Sequence, residues 1–235
     1  MAPILASTRA AQQRRLDLAA VAGAVESFAR VVVYDRAGLG RSLPLARPSV
    51  SVTAGGVAAA LHALLNKAGV APPFILVGHS LGGLYVQMFA RRYPNEVAGV
   101  ILIDSARADA PPELKTRAQL KPGSAAYLEE EGVGASNEEL HHAGPFPDVP
   151  MTVIAATDQG PFFKSWEPLL MRLQGGLAKL SPHGRLIIAR SSGHYIQTDQ
   201  PQLVVSAIRS MARPRSETRP RGQSNVGFLA SSPKI

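Results

Sequence analysis

The chain has 235 residues, 46% of them hydrophobic, and no cysteine. That length suits one large domain, and the composition excludes disulfides, thiolate catalysis and cysteine-based zinc sites. The net charge of +8 is half tail, because residues 213 to 235 carry five basic residues against one acid.

That tail, "RPRSETRPRGQSNVGFLASSPKI", is rich in Pro, Ser, Gly and Arg and lacks periodicity. It is expected to be a disordered, solvated basic tail rather than a specific nucleic-acid site. No apolar run reaches the roughly 20 residues that a membrane-spanning helix needs. The start lacks the basic-then-apolar order of a secretory signal. A cytoplasmic protein without a membrane span is therefore expected.

Residues 10 to 28 read as a helix, with Leu18, Val21, Ala22 and Val25 at helical spacing. "RVVVY" at 30 to 34 reads as a short buried strand, followed by the glycine- and proline-punctuated loop "DRAGLGRSLPLARPS". Ser51 or Thr53 is positioned to cap a helix whose apolar positions Val57, Leu61, Leu64 and Leu65 share one face, ending near Gly69. "FILVG" is an apolar run of strand length that passes at Ser80 into a helix carrying Leu84, Tyr85, Met88 and Phe89.

"VAGVILID" at 97 to 104 is the next strand. Residues 106 to 149 then break the rhythm and read as a cap-like insertion with one or two short helices. "MTVIAA" resumes the strands, and Trp166, Leu169, Leu170, Leu173, Leu177 and Leu180 form a helical stripe that reads as core. "GRLIIAR" is the final strand, followed by a loop and a closing helix. Strands alternating with helices predict an α/β fold, a mostly parallel sheet with helices on both faces, spanning residues 1 to 212.

Gly78-His79-Ser80-Leu81-Gly82 fits the pattern G-x-S-x-G. A strand that turns at once into a helix crowds the backbone on either side of the serine, so small residues are expected two positions away. The serine takes a strained conformation that lifts its hydroxyl above the sheet. The Leu81 N–H, at the helix start, faces a developing oxyanion.

At these residues the chain resembles the α/β-hydrolase superfamily, through "VVVYDRAGLGRS", "FILVGHSLGGLYVQMFARRYP", "VAGVILIDSA" and "SSGHYIQTDQPQLVVSAI" in that order. The resemblance implies Ser80 as nucleophile and His194 as the base that accepts its proton. Two aspartates compete to orient the imidazole. Asp104 ends "VILID", where some branches of the family place their acid, and Asp158 follows "MTVIAA", close to where most hydrolases place theirs. Asp104 is narrowly preferred, with Asp158 the alternative.

The substrate-binding candidates are His79, the variable position of the elbow, with Phe162, Phe163 and Trp166. The three aromatics either shape an apolar acyl pocket or belong to the core. His141-His142 has no carboxylate or cysteine at ligand spacing, so neither a metal nor a cofactor is expected. Asp35 and Arg36, in "DRAGLGRS", are expected to turn the chain and fix loops near the site.

Members of the superfamily usually carry a strand and a glycine-bearing loop, the source of a second oxyanion N–H, ahead of this region. "MAPILASTRAAQQRR" reads as containing neither, so the early strands are expected to be missing and the oxyanion hole incomplete. The expected function is a serine hydrolase cleaving a carboxylic ester, thioester or lactone of a small molecule through an acyl-enzyme. The alternative is a degenerate, non-catalytic relative that binds a small hydrophobic ligand or a partner.

Overall fold

The computed structural model describes residues 4–8, 19–43, 52–106 and 120–213. Six parallel strands form one sheet in the order β2-β1-β3-β4-β5-β6. They are β1 (Ile4–Thr8), β2 (Val31–Asp35), β3 (Phe74–His79), β4 (Val97–Ile103), β5 (Met151–Ala156) and β6 (Gly184–Ala189). The helices are α1 (Ala19–Glu26), α2 (Ala54–Lys67), α3 (Gly82–Arg92), α4 (Ala125–Glu131), α5 (Val133–His142), α6 (Glu167–Ala178), α7 (Ile196–Asp199) and α8 (Pro201–Ala212).

β1 overturns the expectation that the strand ahead of "RVVVY" is missing. It lies between β2 and β3, with Ile4 opposite Val31 on one side and Ile75 on the other. "ILAST" has two strong apolar residues and then three small ones. Pairing on both edges decides its conformation, because strand preference depends on cross-strand neighbours more than on intrinsic propensity. The helix expected over 10 to 28 is observed from Ala19, and its earlier residues lie outside those described, as does the tail from residue 214.

The strand side chains divide by period two between two apolar layers. Phe74, Leu76, Val100, Leu102, Met151 and Val153 meet residues of α2, α3 and α6. Ile75, Val77, Ile101, Ile103, Ile154 and Ala156 meet α1 and α8. Both faces of the central strands are therefore buried, which explains their continuous apolar runs.

Thr53 is the cap of α2, its Oγ1 accepting from Gly56 N at 3.3 Å. Val57, Leu61 and Leu65 are buried, whereas Leu64, expected on the same face, is 41% exposed because the i, i+4, i+8 row passes it by. Two more N–H groups of the first turn of α2 are satisfied from α5: Ala54 N donates to Ser136 Oγ at 2.9 Å and Gly55 N to Glu139 Oε2 at 2.6 Å. A carboxylate at a helix N-terminus also meets the positive end of the dipole. The described part of the 106–149 segment thus contains two short helices, and α5 docks on the start of α2.

On α6 the expected stripe is half-buried, with Leu177 fully buried, and Trp166 belongs to a 3₁₀ turn, Pro161–Trp166, just before the helix. No described helix is long and apolar enough to cross a membrane.

Candidate active site

The strand order reverses between β1 and β3, and in open parallel sheets such a reversal opens a crevice at the carboxyl ends of the strands. Ser80 stands there, immediately after β3, with φ 53°. A non-glycine residue in this region is strained and persists only where its surroundings fix it. Here Ser80 N donates to Ile103 O at 3.1 Å, and Ser80 O accepts from Gly83 N at 2.9 Å and Ala106 N at 3.0 Å. The turn is held from both neighbouring elements.

The glycines divide their work differently from the sequence expectation. A Cβ on Gly78 would lie 2.5 Å from Gly82 O, so that position must be glycine. A Cβ on Gly82 would meet nothing within 4 Å, but one on Gly83 would lie 1.7 Å from Ser105 Oγ. Crowding on the helix side therefore falls one residue later, where α3 crosses the end of β4. Leu81 caps α3, and its N–H donates to no described residue.

His194 Nδ1 donates to Asp104 Oδ2 at 2.6 Å. Asp104 is buried, and it too has a left-handed backbone, φ 39°. Its carboxylate also accepts from Gln159 Nε2 at 2.6 Å and from Ala156 N at 3.3 Å. Asp158 is exposed, and its recorded contact is through the backbone, Asp158 N donating to Ser192 O at 2.9 Å. The geometry brings Asp104 to His194 and leaves the Asp158 carboxylate without a hydrogen-bond partner among the described residues.

His79 and His194 are adjacent, with ring centroids 4.6 Å apart, and His79 Nε2 donates to the main-chain oxygen of His194 at 2.8 Å. Burial, with the neighbouring charge of His194 as a second cause, pulls the His79 pKa down to about 4. The ring is therefore neutral near pH 7. No hydrogen bond joins Ser80 Oγ to His194 among the described residues.

Phe162 and Phe163 meet edge to face at 5.0 Å on the 3₁₀ turn that follows Gln159. Phe162 is 67% exposed, and Phe163 and Trp166 are half-buried. A cleft of about 460 Å³ lies away from these residues, lined by Ala98, Pro150, Thr152 and Arg185 at the amino ends of β4, β5 and β6. Ser80, Asp104 and His194 lie instead at the carboxyl ends.

Asp35 and Arg36 both fix loops. Asp35 Oδ2 accepts from Arg41 N at 3.0 Å, and its main-chain oxygen accepts from Ser42 Oγ at 2.6 Å. Arg36 is buried and donates to both carboxylate oxygens of Glu129 on α4, at 2.5 and 2.8 Å, with its guanidinium 5.2 Å from the Tyr85 ring of α3. Burial works against the charged guanidinium, but Glu129 outweighs it and holds the Arg36 pKa above its ordinary value.

Glu129 and Gln159 are residues that sequence reasoning missed. Glu129 lies in the 106–149 segment, which reads as an interruption of the strand–helix rhythm rather than as a source of partners, and Gln159 is overshadowed by the aspartate beside it.

A protein-family model described as alpha/beta hydrolase fold matches residues 21–165. The uncharacterized protein YqjL of Bacillus subtilis is 27% identical over 187 residues, covering 76% of this chain and 71% of the relative. Among solved structures, a thermophilic esterase from Thermogutta terrifontis superposes with a TM-score of 0.58 at 21% identity, covering 89% of each chain. A meta-cleavage product hydrolase from Pseudomonas fluorescens superposes with a TM-score of 0.66 at 13% identity, covering 90% of each. A family match over more than half of its length, on a parallel sheet of this order, makes the chain a member of the α/β-hydrolase family.

Proposed function

We propose that this hydrolase is a serine esterase, cleaving a carboxylic ester, thioester or lactone through an acyl-enzyme. The observation that carries this reading is the 2.6 Å contact of His194 with buried Asp104, on a loop tied to the residue beside Ser80. In the first step Ser80 Oγ attacks the acyl carbon, and His194 Nε2 takes the hydroxyl proton. Asp104 keeps the proton on Nδ1, so that Nε2 is the free base, and it stabilises the imidazolium that forms. The Leu81 N–H stabilises the tetrahedral oxyanion. His194 then returns the proton to the leaving alkoxide, thiolate or ring oxygen. Water repeats the sequence on the acyl-serine and releases the acid. Phe162, Phe163 and Trp166 would supply an apolar wall for the acyl chain. The esterase identity of one structural relative accords with this chemistry.

Labelling with a fluorophosphonate probe tests the nucleophile, because it needs an activated serine and little substrate specificity. Labelling that disappears in Ser80→Ala, with hydrolysis of a short-chain nitrophenyl ester lost in parallel, is the expected result. A folded wild-type protein that does neither refutes the reading. Asp104→Asn should lower kcat on the order of 10⁴-fold, while Asp158→Asn leaves it within a few-fold. The reverse order would move the acid to Asp158.

A second reading, ligand or partner binding without turnover, is favoured by one sequence fact: residues 9 to 18, which follow β1, contain no glycine. The superfamily usually takes its second oxyanion donor from a glycine-bearing loop after such a strand, and losing one such donor costs about 10²- to 10³-fold in kcat. Absent labelling together with saturable binding of a small apolar ligand is the result that selects it.

A further inference from the structure

We propose that His79 is a positioning residue, whose Nε2–H holds the main chain of His194 so that the imidazole stays between Asp104 and Ser80. The proposal rests on the serine-hydrolase reading and assigns His79 to the catalytic base rather than to the substrate.

The argument begins with the two supports that His194 must join. β3 ends at His79, in the middle of the sheet, with Ser80 next in the chain. His194 arrives from β6, a strand at the edge of the sheet, through residues 190 to 193. Its side chain is 35% exposed, so packing alone does not fix it. The loop is tied at its base, where Asp199 Oδ2 accepts from Gly193 N at 2.8 Å and from Ser192 Oγ at 3.1 Å. His79 acts one residue further on, at 2.8 Å from His194 O, and both rings pack against Tyr195 at 5.5 and 5.3 Å. It thereby couples the loop that carries the base directly to the strand that carries the nucleophile.

A histidine has a specific merit at this place. A longer basic donor would set a fixed positive charge beside the imidazolium that forms on His194 during turnover. The half-buried His79 ring stays neutral at working pH and offers an N–H without that repulsion. With the proton on Nε2, the amide nitrogen of glutamine is the nearest substitute donor, whereas leucine keeps the volume and removes the bond.

The test compares His79→Gln and His79→Leu with wild type by fluorophosphonate labelling rate, kcat and KM on a nitrophenyl ester, and NMR of the His194 Nδ1 proton. That resonance is identified by its loss in Asp104→Asn. The expected result is a labelling rate and kcat about 10- to 100-fold lower in His79→Leu with KM changed less than about twofold, since misplacing a catalytic group by about 1 Å has effects of this size. The Nδ1 resonance should broaden or vanish in His79→Leu, and His79→Gln should recover most of both signals. Leucine behaving as wild type overturns the proposal, and so does glutamine failing as badly as leucine in a protein with an unchanged melting temperature. A raised KM at constant kcat returns His79 to substrate contact. If wild type neither labels nor hydrolyses, the esterase reading fails. The NMR comparison still decides whether His79 positions His194.

Discussion

Replacing Glu129 by glutamine removes the negative charge that meets the buried Arg36 guanidinium through two hydrogen bonds. Arg36 and Glu129 have side chains only 6% and 3% exposed, and they meet through two hydrogen bonds. Removing one member of such a pair typically costs about 3 to 5 kcal/mol, because the remaining charge stays desolvated. The Tyr85 ring at 5.2 Å offers the cation partial compensation, so the expected loss is near about 3 kcal/mol. For a chain of this size that corresponds to a melting temperature lower by roughly 6 to 12 °C. Urea unfolding of wild type, Glu129→Gln, Arg36→Met and the double variant Arg36→Met/Glu129→Leu forms the assay. The double variant should recover most of the stability, since an apolar pair of similar volume often matches a buried ion pair. A Glu129→Gln loss below about 1 kcal/mol, or a double variant as unstable as the singles, would refute the claim that this pair holds α4 onto β2 and α3.

Three further outcomes can be measured. Gly83→Ala, which drives a Cβ to 1.7 Å from Ser105 Oγ, should lose about 1 to 3 kcal/mol in a urea melt, whereas Gly82→Ala, with nothing within 4 Å, should be neutral or gain up to about 1 kcal/mol. Equal losses would show that helix geometry, not the contact with β4, sets the glycine requirement. Gln197 is buried, and neither of its amide atoms has a hydrogen-bond partner in the described residues, so Gln197→Met should raise stability by about 1 to 3 kcal/mol. A clear loss would reveal an ordered water satisfying the amide. His79 titrates near 4 in the folded protein against 6.5 in an ordinary histidine, so the unfolded chain takes up its proton first on acidification. Stability from this group is intact above pH 6.5 and falls toward pH 4, by up to about 3 kcal/mol. Urea melts at several pH values should show this slope for wild type and a shallower one for His79→Gln, and parallel curves would refute it.

Three of the strands that sequence reading finds are buried on both faces, whereas β2 and β6, also found, are partly exposed edge strands. "FILVG", "VAGVILID" and "MTVIAA" are continuous apolar runs because β3, β4 and β5 sit between two helical layers. β1 escapes the same reading because its fate lies in partners 27 and 71 residues away, Val31 and Ile75 opposite Ile4. Within the site, Ser80 is legible from crowding, a local property of the turn. The pairing of His194 with Asp104 spans 90 residues, and that of Arg36 with Glu129 spans 93. No local pattern encodes such distances, so sequence reading leaves two aspartates in contention and misses Glu129.

The preference of His194 for Asp104 over Asp158 follows from strand register together with the direction in which the residues of the β5 loop point. His79 pairs with Ile103, so Ser80 and Asp104 are the first residues beyond the ends of neighbouring strands. Ile103 in turn pairs with Ile154, and β5 runs on for two residues past that point. Asp158 therefore leaves the sheet well above the level of Ser80. The chain from β6 crosses this overhang to bring His194 toward Ser80, and the crossing uses hydrogen bonds of the β5 loop. Ser191 N donates to Thr157 Oγ1 at 3.1 Å, and Asp158 N donates to Ser192 O at 2.9 Å. Asp158 serves as a rung of that crossing through its backbone, which turns its carboxylate to solvent. Asp104 lies under the far end, at the depth where His194 lands. The side chain next to it, Gln159, closes the arrangement by donating to the same Asp104 oxygen as His194 does. The β5 loop therefore reaches the imidazole's partner through Gln159 while Asp158, one residue earlier, is exposed on it, so the direction in which each loop residue points decides which carboxylate the imidazole meets.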